Sequence, residues 1–155
     1  GREKLEVIAI LRDGGADLSR VIFGHSDTIA WDMPLMLELL GHGVNIQFDM
    51  LGLDMTPLFL RPMRHSIKDY NRGVARTSQV IEAIPKLIEA GYERRILLSQ
   101  DVYSKTQLKR YGGNGYSFIM ERVLPELNYR GLERSQINRL VVKNPARMLT
   151  FVEPH

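Results

Sequence analysis

The sequence contains no cysteine among its 155 residues. A disulfide framework and thiolate-ligated zinc are therefore excluded, and any metal would be held by histidine and carboxylate side chains. Also missing is any run of about 18 apolar residues, so no membrane-spanning helix is expected. The opening Gly1-Arg2-Glu3-Lys4 has nothing of a secretion signal, and a reducing cytoplasm is the expected location. An excess of one charge is lacking too. Lys and Arg number 21 against 18 Asp and Glu, a net charge of +3, and the two signs are interspersed. Such a surface is solvated rather than built for nucleic acid. The densest basic stretch, Arg61, Arg64, Lys68, Arg72 and Arg76, reads as a solvent-facing loop leading into a helix. No linker or low-complexity segment divides the chain, which is one domain or part of one.

What is present is globular composition, 44% apolar and 25% charged, arranged as a repeated helix–strand unit. Apolar-rich runs at 21–25, 44–49 and 96–101 end on His25, Asp49 and Asp101. Buried parallel strands whose polar tips feed one face of a sheet have this pattern. Helical spacing precedes each run. Glu3 to Asp13 closes on Gly14-Gly15, and Met33 to Leu40 starts from Asp32 as N-cap with Pro34 in its first turn and closes on Gly41-His42-Gly43. Val74 to Ala90 closes on Gly91, with Pro85 expected to kink it or displace its start. Between residues 50 and 72 a long loop is expected. Tyr116 to Tyr129 reads as helix despite Pro125. The tail reads as two helices, Gln136 to Val142 capped by Ser135 and Ala146 to Phe151 opened by Asn144-Pro145. The predicted fold class is α/β, with its chemistry on one face.

Taken alone, His25 reads as a hydrogen-bonded core histidine or as a ligand, and Asp101 as a capping carboxylate or a ligand. A carboxylate at a strand tip can ligate a metal and accept the proton of an attacking water. His42, in a Gly-His-Gly helix terminus, is read as structural because a cation there favours the helix dipole. His65 and His155 have no partner at metal-ligand spacing, and Trp31, Met33 and Met36 fall on packing positions.

Four segments in order, Gly24-His25-Ser26-Asp27, Leu98-Ser99-Gln100-Asp101, Tyr111-Gly112-Gly113-Asn114-Gly115-Tyr116 and Lys143-Asn144-Pro145-Ala146-Arg147-Met148-Leu149, resemble the C-terminal part of the phosphotriesterase family. That family, within the amidohydrolase superfamily, includes phosphotriesterase-like lactonases and phosphotriesterase-related proteins. The resemblance implies a (β/α)8 TIM barrel with two divalent metals, zinc in the usual case, at the C-terminal ends of its strands. The three strands would then be the sixth, seventh and eighth. His25 would be a metal ligand and Asp101 both a ligand and the catalytic proton acceptor. Asp49 would orient His25 through its other ring N–H. Met50 and Leu53, directly after Asp49, fall where relatives place substrate-pocket residues, and Tyr103 with the loop 103–116 would line the leaving-group side. Phosphotriesterases tend to carry His and lactonases Arg at the place of Met50, which departs from both. The remaining family ligands, a His-x-His, a bridging carboxylated Lys or Glu and a strand-five His, have no counterpart here. The expected activity is metal-dependent hydrolysis of a lactone, carboxyl ester, amide or phosphotriester, with a catalytically silent binding relative as the alternative. A small-molecule substrate is the expected partner, and association into a homodimer is expected because three strands leave open sheet edges.

Overall fold

The computed structural model describes residues 1–53 and 76–151. The loop expected at 50–72, beyond residue 53, lies outside them, as do the basic stretch before Arg76, His65 and His155. Three parallel strands, β1 (Ile22–Phe23), β2 (Asn45–Phe48) and β3 (Ile96–Leu98), form one sheet in the order β1-β2-β3. Ile22 pairs with Asn45, Ile46 with Ile96 and Phe48 with Leu98. Helices α1 (Glu3–Asp13), α2 (Met33–Gly41) and α3 (Thr77–Glu89) each precede a strand. This is the α/β architecture of a partial barrel.

Each strand is shorter than its apolar run, and after β1 and β3 the backbone turns left-handed at the polar tip. His25 has φ 51° and Asp101 φ 43°, left-handed values that no ladder accommodates. Within β2 the side-chain period of two sets Ile46 and Phe48 on one face and Asn45 and Gln47 on the other. Ile46 and Phe48 are fully buried with Leu39 and Leu40 of α2 and Ile84 and Leu87 of α3 in one hydrophobic core. Burial of side chains this size stabilises by about 1.5–3 kcal/mol each. Asp32 caps α2, its carboxylate accepting from the Leu35 N–H at 3.2 Å. Helix α3 continues through Pro85 to Glu89, its buried face outweighing the hydrogen bond that proline removes.

The tail departs from the expected pair of separate helices. A π-helical turn at Ile119–Val123 runs directly into α4 (Leu124–Tyr129). In the same way α5 (Arg134–Asn138) passes through a π turn at Arg139–Lys143 into α6 (Asn144–Leu149). Both π turns end two residues before a proline. The Leu124 N–H donates to the Ile119 carbonyl, and the Asn144 N–H to the Arg139 carbonyl. Pro125 and Pro145 clash with the regular ladder, and one wider turn absorbs each of them. Asn144 is thus helical, not an N-cap. The cap of α5 is Glu133 in a capping box with Gln136, in place of Ser135.

Candidate metal site

The C-terminal tips of the strands gather His25, Asp27, Asp49 and Asp101. Asp49 follows β2, and its carboxylate binds the turn after β1. It accepts from the His25 backbone N–H at 3.0 and 3.1 Å and lies 2.8 Å from His25 Nδ1. Gln47 Nε2 donates to Asp49 Oδ2 at 3.2 Å. Gly24 leaves room for this arrangement, since a Cβ there would lie 3.0 Å from Asp49 Oδ2. The Asp49 side chain is 9% exposed and that of His25 62%. The imidazole is therefore anchored by Nδ1 while its other nitrogen stays accessible, as a ligand requires.

Charge at the tips is concentrated. The hydrogen bond that the imidazole gives to the Asp49 carboxylate, followed by the charge of Asp49, raises the His25 pKa, and Asp101 and Asp27 add to the effect. Asp101 is exposed and lies near enough for its charge to act on His25. Its backbone carbonyl accepts from Gln107 Nε2 at 3.0 Å. Left-handed backbone at His25 and Asp101 costs on the order of 1–2 kcal/mol per residue, less for aspartate, and such conformations concentrate at functional sites.

Asp27 was not singled out in the sequence. It is fully buried, and burial pushes its carboxyl up to about 6 against the hydrogen bond donated by the Asp49 N–H at 2.8 Å. Its place at the end of the family-like segment Gly24-His25-Ser26-Asp27 was the signal for it. Lys4 was also missed, since it reads as one more exposed helix charge. Its ammonium donates to the Gly24 carbonyl at 3.2 Å and sits 5.1 Å from the Phe23 ring centroid. Burial lowers its pKa, opposed by the charge of Asp49.

Beside the tips lies a cavity of about 240 Å³ between the residues after β2 and those after β3. Leu53, Gln100, Val102 and Asn114 are among its lining, whereas Met50 and Tyr103 are not. Tyr103 is 74% exposed. Two side-chain hydrogen bonds shape the wall: Gln100 Nε2 to the Gly115 carbonyl at 2.7 Å and Asn114 Nδ2 to the Gly52 carbonyl at 2.6 Å. Gly52 has φ 83°, and a Cβ there would strike Phe118 at 2.8 Å. His42 stands apart, 2.8 Å from Arg12 Nη2 on the surface.

The donor set suits a divalent ion in kind, one imidazole nitrogen and one carboxylate, both accessible. In number it falls short. Among the described residues no group of three His, Cys, Asp or Glu could hold a metal, and catalytic zinc takes three protein ligands.

A model of the phosphotriesterase family matches residues 1–149. The chain belongs to the phosphotriesterase family. It is 38% identical over 149 residues to an N-acetyltaurine hydrolase from Dictyostelium discoideum, covering 96% of this chain and 38% of that protein. Among solved structures, a resiniferatoxin-binding protein from Rhodobacter sphaeroides superposes with a TM-score of 0.82 at 33% identity, over 96% of this chain and 38% of that one. The phosphotriesterase homology protein from Escherichia coli, solved with phosphate in its active site, gives a TM-score of 0.77 at 26% identity, over 94% and 44%. The chain thus spans about two-fifths of the length of these phosphotriesterase-family relatives.

Proposed function

We propose that this chain forms the strand-six to strand-eight part of a metal-dependent amide hydrolase, acting in the cytoplasm on a small N-acyl substrate of the N-acetyltaurine kind. The observation that carries this reading is the His25–Asp49 pair at the strand tips, within reach of the Asp101 charge, in a chain whose relatives include N-acetyltaurine hydrolases. His25 and Asp101 would hold part of a two-zinc centre, completed by ligands from elsewhere in the barrel. When bound, such ions polarise the scissile carbonyl and make a water acidic enough to ionise near neutral pH.

Asp49 fixes the imidazole so that its outward nitrogen is the one available to a ligand. Asp101 accepts the proton of the attacking water and returns it to the leaving amine, for which an exposed carboxylate beside a cavity is suited. Leu53, with Met50 and Tyr103 nearby in sequence to the tips, would contact the substrate. The test is to assay the complete protein, loaded with zinc, on N-acetyltaurine, simple lactones, aryl esters and a phosphotriester. The expected result is amide turnover above the rest. Preference for a lactone or phosphotriester would move the substrate class.

A second reading has a specific observation behind it, the 0.82 TM-score with a protein named for binding resiniferatoxin. In that case the complete protein would bind an apolar ligand at the tips and turn over none of the panel.

A further inference from the structure

The opposite end of the sheet carries a second constellation, made by residues at the N-terminal ends of the same strands. Ser19 precedes β1, Arg94 and Arg95 precede β3, and Arg147 reaches over from α6. With Gly91 these residues line a cavity of about 220 Å³. Arg20 lies beside them, donating to the carbonyls of Arg147, Met148 and Thr150 at 2.9, 3.0 and 2.8 Å. Arg147 Nη2 donates to Asn45 Oδ1 and to the Arg94 carbonyl, both at 2.8 Å. Arg95 Nη1 donates to the Gly43 carbonyl.

These contacts hold the Arg20, Arg95 and Arg147 guanidinium groups in place without neutralising them. Among the described residues, none of the four arginines pairs with a carboxylate, whereas Arg139 and Arg130 pair with Glu93 and Glu126. Glu93, the nearest acid in sequence, is thereby already engaged. The Arg94 side chain is exposed and makes no hydrogen bond among the described residues. Burial, and then the charges of Arg95, Arg94 and Arg20, hold the Arg147 guanidinium below its ordinary pKa. Like charges crowded around a concave space are relieved by a ligand of opposite sign.

We infer that the N-terminal ends of the strands carry a binding site for a small soluble oxyanion of the phosphate class, held by Arg94, Arg95 and Arg147 around this cavity with Arg20 behind them. Guanidinium forks match phosphoryl oxygens two at a time, and positioning by backbone carbonyls lowers the cost of ordering them on binding. The site is separate from the strand tips that carry His25 and Asp101. An anion bound there stabilises the folded chain, by an amount that grows with the logarithm of its concentration once the site is mostly filled.

The test titrates inorganic pyrophosphate into the complete, metal-free protein by calorimetry at two salt concentrations. Variants Arg94→Ala, Arg94→Glu, Asp101→Asn and Arg134→Ala are run alongside, with circular dichroism and thermal midpoint confirming each fold. The expected result is saturable, salt-weakened binding, about tenfold weaker in Arg94→Ala and lost in Arg94→Glu. Asp101→Asn and Arg134→Ala should match wild type. Unchanged affinity in Arg94→Glu, loss in Asp101→Asn, or no saturable binding by wild type each overturns the inference. So does capture by phosphatidylinositol 4-phosphate vesicles without any response to free pyrophosphate.

Discussion

Asp27 and His25 both bind a proton more tightly in the fold than their ordinary values allow, one by burial and the other through Asp49. For a group whose folded pKa is raised, the stability it contributes is complete below the unfolded pKa and is lost as pH rises through the folded one. Asp27 therefore costs stability between about pH 4 and its folded value of about 6, on the order of 2–3 kcal/mol in full. His25 adds a loss of the same sign above its ordinary 6.5. Urea midpoints of the metal-free protein should fall from pH 4.5 to 7.5. Asp27→Asn should flatten the acid half of that slope, and an unchanged slope would contradict the assignment to Asp27. Asp101→Asn should lower kcat by about 10²–10⁴ in the complete protein at matched metal content, while His42→Asn leaves it near wild type. The strand-tip places of His25, Asp49 and Asp101 were legible in the sequence because each closes an apolar run. Asp27 was not, because its burial depends on packing that no single residue announces.

Among the elements, α6 is tied to the start of β3 by one buried side chain. Asn144 Nδ2 donates to the Glu93 and Ile96 carbonyls, both at 2.8 Å. Asn144→Ala strands two carbonyls that water cannot easily reach, and a loss of about 2–3 kcal/mol is expected. A urea midpoint unchanged from wild type would show that water replaces the amide. The helix–strand alternation was readable from apolar spacing and glycine stops, down to the Asp32 cap. The continuous tail was not. Asn-Pro is the ordinary opening of a helix, and only the packing of Leu127, Leu140 and Met148 shows that the chain keeps its course through both prolines by widening a turn.

At the scale of the molecule, β1 and β3 each leave one edge unpaired within the described residues, and open parallel edges invite association. Residues 1–155 expressed alone should sediment as dimers or larger species, bind zinc weakly and hydrolyse none of the substrate panel. A monomeric segment with the turnover of the complete protein would show that the other barrel strands are dispensable. The partial barrel was legible because four ordered segments resemble one family. The arginine end was not, since Arg20, Arg94, Arg95 and Arg147 are scattered over the chain and only the fold collects them. The left-handed backbone at His25 and Asp101 sets two demands against each other. Asp101→Gly would relieve its strain, gaining up to about 1 kcal/mol, and would remove the proton acceptor in the same step. A mutant library sorted for abundance alone would accumulate glycine at 101, whereas one sorted for growth that requires turnover of the substrate would hold aspartate there against the gradient of stability.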